Sequence, residues 1–439
     1  MKRRIYLATA GALALGGCMG FGETDGPGDD AANESTGNGN DDNGTGNGTG
    51  NGTGDGNGDE NGDENGDENG DENGNDDPLE AETFDDFESL DDWRTISGSV
   101  RAYDGYSVVG SQSVLLEADE SVEQVRMVRE LEEPLDCSEV VPGLAVASHG
   151  IANVGIQLYD ESRSKVVYRQ RTHGMSIRHV PFGVEYIEGT PDLTEVTEIH
   201  ISIWAGEGTA QGWVDDLHFV PKSAGKVLLT FDGAYESHYE EAMPLLEEYG
   251  YPATAFVPTG RLREEASHDG SRLTYDQVAD LHDAGWTISS NGAHGGNLTT
   301  LEGDRTPSSE ITEAVGWLEE HGYGDGAAFM AYPGGYYDDD VLEIAGDAHT
   351  LAFAGGYPGH GYVKNPMLCS RRLQPDADQA RHALDVAAEL GGVTTLAFFN
   401  VDSDSDVDLE DTLSYLAELE SAGDLEVVTP QAIADEQLL

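Results

Sequence analysis

The run Leu228-Leu229-Thr230-Phe231-Asp232-Gly233 ends an apolar stretch on a single acid. At the carboxyl end of a buried strand a carboxylate faces a pocket, where it can accept a proton as a general base. Glu236 follows four residues later, and two carboxylates could divide the acid and base work of glycoside cleavage. The simpler role for Glu236 is a first-turn acid favoured by the helix dipole. His238 reads as an exposed residue of the same helix. Asn291 and His294 are three residues apart, a spacing that shares one face if the segment is helical. With Asp232 they would offer one carboxylate, one imidazole and one amide oxygen. That is a poor transition-metal set, because a second imidazole is lacking. Asp402, Asp404, Asp406 and Asp408 alternate like a calcium loop without the glycine of an EF-hand, and read instead as a solvated loop capping the next helix.

The elements that must position these side chains are legible from residue 226 onward. Apolar strands (KVLLTF, ATAFVP, WTISS, AAFMAYP, TLAFAGG, TTLAFFN, LEVVT) alternate with amphipathic helices that include ESHYEEAMPLLEEYG, TYDQVADLHDAG, SEITEAVGWLEEHG, DDDVLEIAGDA and DLEDTLSYLAELESAG. Several helices end at glycine, as helix C-termini do. Repeated βα units imply a parallel sheet or barrel with its site at the strand carboxyl ends. Asp232, Ser290, Tyr332 and Asn400 all fall at such ends. Residues 83–222 differ, with short alternating or apolar runs separated by turn residues at the intervals of an all-β sandwich.

Four segments of the second region carry a family resemblance. TFDGAYESHYEEAMPLLEEYGYPATAFVPTG, AGWTISSNGAHGGNLTTL, AFMAYPGGYYDDD and TTLAFFNVDSDSD are similar, in order and spacing, to the motif segments of NodB-type polysaccharide deacetylases, carbohydrate esterase family 4. The resemblance covers roughly residues 225–439 and implies a distorted (β/α)7-type barrel. It also implies removal of N-acetyl, sometimes O-acetyl, groups by a divalent metal on one Asp and two His, with a second Asp as base and a His as acid. Carried over position by position, Asp232 takes the base position. Gly233 stands where the metal-binding Asp belongs. Asn291 and Gly295 replace the two metal-binding His, and Asn400 replaces the acidic His. Met330 or Ala331 stands where the family offers an Arg that orients the base, although Tyr332-Pro333 and Gly335 fit. The expectation is therefore a groove lined by Asn291, His294, Tyr332, Pro333 and Asn400, one surviving base, and no resident metal. The alternative is an active deacetylase whose zinc or cobalt sits near Asp232 and His294.

The opening FDDFESLDDW and closing WVDDLHFV of the first region resemble the first and last strands of jelly-roll carbohydrate-binding modules. Trp93, Trp204 and Trp213 are available to stack on sugars or to fill a core.

Charge and the amino terminus set the context. The chain of 439 residues has a formal net charge of −63, and residues 83–439 keep 65 of the 85 acids and 19 of the 22 bases. Self-repulsion on that scale penalises a compact state, and molar salt removes it by shrinking the screening length to about 3 Å. The chain reads as halophilic. With no basic patch to neutralise phosphates, nucleic acid is excluded as a partner. Arg3-Arg4-Ile5-Tyr6-Leu7 resembles a twin-arginine export signal, and Leu15-Gly16-Gly17-Cys18 a lipobox, so residues 1–22 read as a signal with lipidation at Cys18. The partners expected are therefore polysaccharide and, through the lipid, the outer face of the cell membrane. Residues 23–82 form a Gly/Asn/Asp/Glu-rich tether with N-glycosylation sequons at Asn33, Asn43, Asn47 and Asn51. Cys137 and Cys369 fall in different regions and read as buried free thiols.

Overall fold

The computed structural model describes residues 83–437 except 207, 265–271, 356–358, 403–404 and 406. The export segment with Cys18, the tether and its sequons, and Asp404 and Asp406 lie outside the described residues. No helix among the described residues is long and apolar enough to cross a membrane.

The first region is one branched antiparallel sheet of ten strands: β1 Thr83–Asp85, β2 Trp93–Ser97, β3 Ser99–Asp104, β4 Gln112–Ala118, β5 Gln124–Leu135, β6 Val140–Asp160, β7 Lys165–Val180, β8 Gly183–Glu188, β9 Val196–Trp204 and β10 Ala210–Pro221. Its path runs β2-β5-β9-β6-β10-β4-β3, with β1 on β10 and β7 between β6 and β8. Strand β6 makes the branching possible. Val140 to Ser148 pair with β10, and Asn153 to Asp160 pair with β9, with a register break against β7 between Ser148 and Ala152. Trp93 and Trp213 are buried, whereas Trp204 is 43% exposed.

The second sheet has nine strands: β11 Gly225–Asp232, β12 Thr254–Val257, β13 Thr287–Ser290, β14 Phe329–Ala331, β15 Leu351–Phe353, β16 His360–Gly361, β17 Arg372–Leu373, β18 Val393–Phe398 and β19 Leu425–Val427. Strands β11 to β15 lie side by side in chain order and parallel. Strand β18 returns to the other flank of β11. Every residue of β11 is buried, as a parallel strand covered on both faces requires. The helices are α1 Met243–Tyr249, α2 Tyr275–Asp283, α3 Pro307–Glu320, α4 Asp339–Ala348, α5 Ala377–Leu390, α6 Leu409–Ala422 and α7 Pro430–Gln437. Thr274 and Thr306 close reciprocal caps with Gln277 and Ser309. Asp338, Asp376 and Asp408 accept from backbone N–H groups of the first turns of α4, α5 and α6, satisfying donors that would otherwise be orphaned.

Two features differ from expectation. Helix α5 is absent from the helices read in the sequence. It buries Leu384, Val386 and Leu390 together with Ala380, Ala383 and Ala387. His238 is buried rather than exposed. A π-helical turn spans His238–Ala242, and the His238 ring nitrogen Nε2 lies 2.5 Å from the Phe399 carbonyl. The wider turn points the imidazole at the loop after β18.

The two sheets share an apolar core. Buried Cys137, Val140, Val180 and Phe182 of the first region belong to one cluster with Tyr332, Tyr337, Tyr362, Leu368 and Leu390 of the second. Polar contacts reinforce it. Asp339 Oδ2 accepts from the Met175 and Ser176 N–H groups at 3.1 and 3.0 Å, and its Oδ1 pairs with Arg178. The His173 ring stacks on Tyr337 at 4.4 Å. Cys137 and Cys369 are both free and buried.

Candidate functional site

Asp232 is the last residue of β11, beside Phe256 of β12. The chain then turns through two left-handed residues, Gly233 (φ 91°) and Ala234 (φ 55°). The Gly233 N–H donates to the Phe256 carbonyl at 2.9 Å, which fixes the turn on the strand edge. Asp232 is 2% exposed. Its Oδ2 accepts from Arg371 Nη1 at 2.6 Å, and its Oδ1 is buried with no hydrogen-bond partner among the described residues. Burial pushes the Asp232 carboxyl above the ordinary carboxylate range, and Arg371 pulls it back part of the way.

Arg371 is the residue that sequence reasoning missed. It is 0% exposed, donating from Nε to the Ala354 carbonyl at 3.1 Å and from Nη2 to the Tyr332 carbonyl at 3.3 Å. It thus pairs with Asp232 from a segment other than residues 330–331. The signal available was the pair Arg371-Arg372 after a buried cysteine, in a chain with 22 basic residues.

The other candidates do not converge on Asp232 as the sequence suggested. Residues 291–297 are not helical, so the spacing of three aligns nothing. Asn291 turns its Nδ2 to the Ala331 carbonyl at 2.8 Å. His294 turns the other way. Its N–H donates to Glu310 Oε2 at 2.8 Å, and its Nδ1 lies 3.0 Å from Glu310 Oε1. Glu310 is 1% exposed and also faces Arg305 at 3.6 Å. Tyr332 and Pro333 do not line a groove with their side chains. Both are buried, and the Tyr332 hydroxyl donates to the Met367 carbonyl at 3.2 Å. Asn400 accepts from Ser237 Oγ at 2.7 Å and donates to Asp402. Glu236 faces Arg263 at 3.4 Å and makes no carboxylate pair with Asp232.

A divalent cation does not fit these residues. A Cβ at Gly233 would stand 2.9 Å from the Tyr235 ring and 3.2 Å from Arg272 Nη1. That nitrogen donates to the Gly233 carbonyl at 2.5 Å, and the guanidinium lies over Tyr235 at 4.2 Å. The flank where a metal-holding side chain would start is therefore occupied by a cation. A Cβ at Gly295 would press on Pro258 at 3.0 Å. Among the described residues, the one trio of potential metal ligands within reach of each other is His179, Asp216 and His218, in the first sheet. What remains at the β11 edge is one carboxylate anchored by one guanidinium, with further arginines along the rim.

Residues 220–352 match the family described as Polysaccharide deacetylase. Poly-beta-1,6-N-acetyl-D-glucosamine N-deacetylase of Staphylococcus aureus (strain MRSA252) is 25% identical over 126 residues, which is 27% of this chain and 43% of that protein. The chain thus spans less than half the length of the curated relatives it matches. Among solved structures, a family 4 carbohydrate esterase from Streptomyces lividans in complex with acetate is similar with a TM-score of 0.33 and 16% identity, covering 48% of this chain and 96% of the other. The family 11 carbohydrate-binding module of a cellulosomal cellulase of Clostridium thermocellum is similar with a TM-score of 0.27 and 16% identity, covering 32% and 94%.

Proposed function

We propose that this chain, whose residues 220–352 belong to the polysaccharide deacetylase family, is an exported surface lipoprotein, anchored through Cys18, that holds polysaccharide without metal-dependent deacetylation. The single observation that carries the reading is the Gly233 turn, where the Arg272 guanidinium stands on the flank of a metal-holding acid. In the family a bound metal supplies activated water, its pKa lowered to about 7. Without it, Asp232 retains only a base contribution, on the order of 10²–10⁴-fold. The test uses the full chain in molar salt, measuring bound zinc and cobalt together with acetate released from N-acetylated oligosaccharides. Metal-dependent turnover that Asp232→Asn abolishes would overturn the proposal.

One observation favours a second reading, a deacetylase with an unorthodox site. His294 is held by the buried Glu310, an arrangement that orients an imidazole for acid–base work. Acetate release that survives His294→Ala at full rate would remove this reading.

A further inference from the structure

Two imidazoles and one carboxylate meet in the first sheet. His179 lies near the end of β7, and Asp216 and His218 lie on β10, two strands that both pair with β6. His179 Nε2 is 2.6 Å from Asp216 Oδ2, and His218 Nδ1 is 3.5 Å from the same oxygen. The two rings stand edge to face with centroids 5.0 Å apart. One nitrogen of each imidazole and one Asp216 oxygen all lie within 4.8 Å of one another. Asp216 and His218 are buried, and His179 alone of the three is partly open to solvent. The backbone is bent to bring them together. The pairing of β10 passes from β4 at Val214 to β1 at His218, and its register against β6 shifts between Asp215 and His218. Asp216, inside that shift, is left-handed at φ 47°. A bulge of this kind re-aims a side chain, at a cost in backbone strain for a residue other than glycine. Gly143, opposite His218 on β6, leaves the room that the ring needs, since a Cβ there would stand within 2.4 Å of His218 Nε2. Thr83 Oγ1 of β1 donates to Asp216 Oδ1 at 2.7 Å, which leaves the other oxygen to the imidazoles. Asn365 Nδ2, from the second region, donates to the His179 carbonyl at 3.1 Å.

We infer that His179, Asp216 and His218 form a binding site for a divalent transition-metal ion of the zinc class, and that the ion ties β7 to β10 and, through Thr83, to β1. Two imidazole nitrogens and one carboxylate oxygen are a donor set that such ions take, whereas calcium and magnesium take oxygen alone. Ligand atoms about 2.0–2.1 Å from a tetrahedral zinc stand roughly 3.3 Å apart. The separations of 2.6 and 3.5 Å bracket that spacing, so opening the shorter by less than about 1 Å seats the ion. Before the ion arrives the ligands satisfy one another, because His218 Nδ1 also lies 2.8 Å from the Asp216 carbonyl. Thr83 is a positioning residue, holding the carboxylate from behind, and the loss of such a contact lowers metal affinity about 10–100-fold. The site uses none of the motif positions at the β11 edge, so it stands or falls independently of the glycan-holding reading.

Metal analysis and calorimetric titration of the full chain in molar salt test this, after treatment with a chelator, with zinc, cobalt and calcium as separate probes. One zinc per chain should bind, raise the thermal midpoint by about 2 °C or more, and resist an excess of calcium of about a hundredfold. Cobalt in its place should give the visible absorption of a four-coordinate ion with imidazole ligands. His179→Gln keeps a donor for Asp216 while removing the ligand nitrogen. It should lose the bound zinc and the rise in midpoint, with the zinc-free midpoint nearly unchanged, which separates a binding role from a folding defect. Thr83→Val should weaken zinc about tenfold or more. One zinc retained in full by both His179→Gln and His218→Gln would overturn the inference. So would zinc that calcium displaces, which marks binding by the acids of the tether, or a chain that takes up no zinc. Zinc lost in His294→Gln but kept in His179→Gln would overturn it as well and move the ion to the β11 edge. One zinc on the first sheet is the baseline against which any ion at that edge counts as a second.

Discussion

Replacing Arg371 by Met should destabilise the protein by a predictable, pH-dependent amount. The substitution removes the partner of a carboxylate that is 2% exposed and leaves the Ala354 and Tyr332 carbonyls without their guanidinium donor. Asp232 then avoids an uncompensated buried charge by protonating. Its ordinary pKa is 3.8, so protonating it at pH 7 costs about 1.4 kcal/mol per unit over roughly three units, near 4 kcal/mol. That agrees with the usual 3–5 kcal/mol for breaking a buried pair. The two lost carbonyl contacts add about 1 kcal/mol each at any pH. The sign follows from proton counts. Between pH 3.8 and the raised folded pKa the native state holds the proton and the unfolded state does not, so stability falls as pH rises. The variant should therefore lose less at pH 5 than at pH 7, by at most about 3 kcal/mol, because burial already raises Asp232 in the wild type and gives it part of the same slope. Urea denaturation in molar salt, followed by tryptophan fluorescence, reads both numbers; Trp286 packs on Phe231 of β11 at 4.8 Å between ring centroids. Adding Asp232→Asn should erase most of the pH-dependent part. A loss below about 1 kcal/mol at pH 7, or one equal at both pH values, would refute the reasoning.

Three further outcomes are expected. His238, His349 and His360 are buried, and burial holds each imidazole down at about 4. Their contribution to stability is complete above pH 6.5 and is lost as pH falls toward 4, and imidazole NMR signals that titrate near 6.5 would contradict this. Gly233→Asp should destabilise by more than about 1 kcal/mol, because φ is 91° and its Cβ would meet the Tyr235 ring, without creating zinc binding. Stoichiometric zinc at unchanged thermal stability would argue against that. Asp339→Ala releases Arg178 and the Met175 and Ser176 N–H groups together. Hydrogen exchange should quicken across residues 173–178, with a loss of about 1–3 kcal/mol; unchanged exchange there would count against the coupling.

The sequence disclosed the parallel strands well, because β11 carries Val227, Leu228, Leu229 and Phe231 and ends on Asp232. Gly233, Asn291, Gly295 and Asn400 were read against the motifs that the resemblance supplies, a comparison of residue types that needs no coordinates. Spatial partnership was hidden. Arg371 lies 139 residues from Asp232 in a segment without periodicity, and it contacts Tyr332 through a carbonyl that no side-chain pattern reports. His238 sits among Tyr239, Glu240 and Glu241 and so looked solvated; only the π-helical turn carries it inward. Asn291 and His294 shared a helical face on paper, but Glu310, from α3, decides where His294 points.

The core common to both sheets bears on how such a chain can be rearranged. Recombination that exchanged one half for a foreign module would leave Val180 and Phe182, or Tyr337 and Tyr362, on an apolar wall facing water. Each half is thus the other's cover, and the two should persist as a pair whatever stands at the β11 edge. A library built by cutting at residue 222 would discard most of its members before any ligand was offered to them.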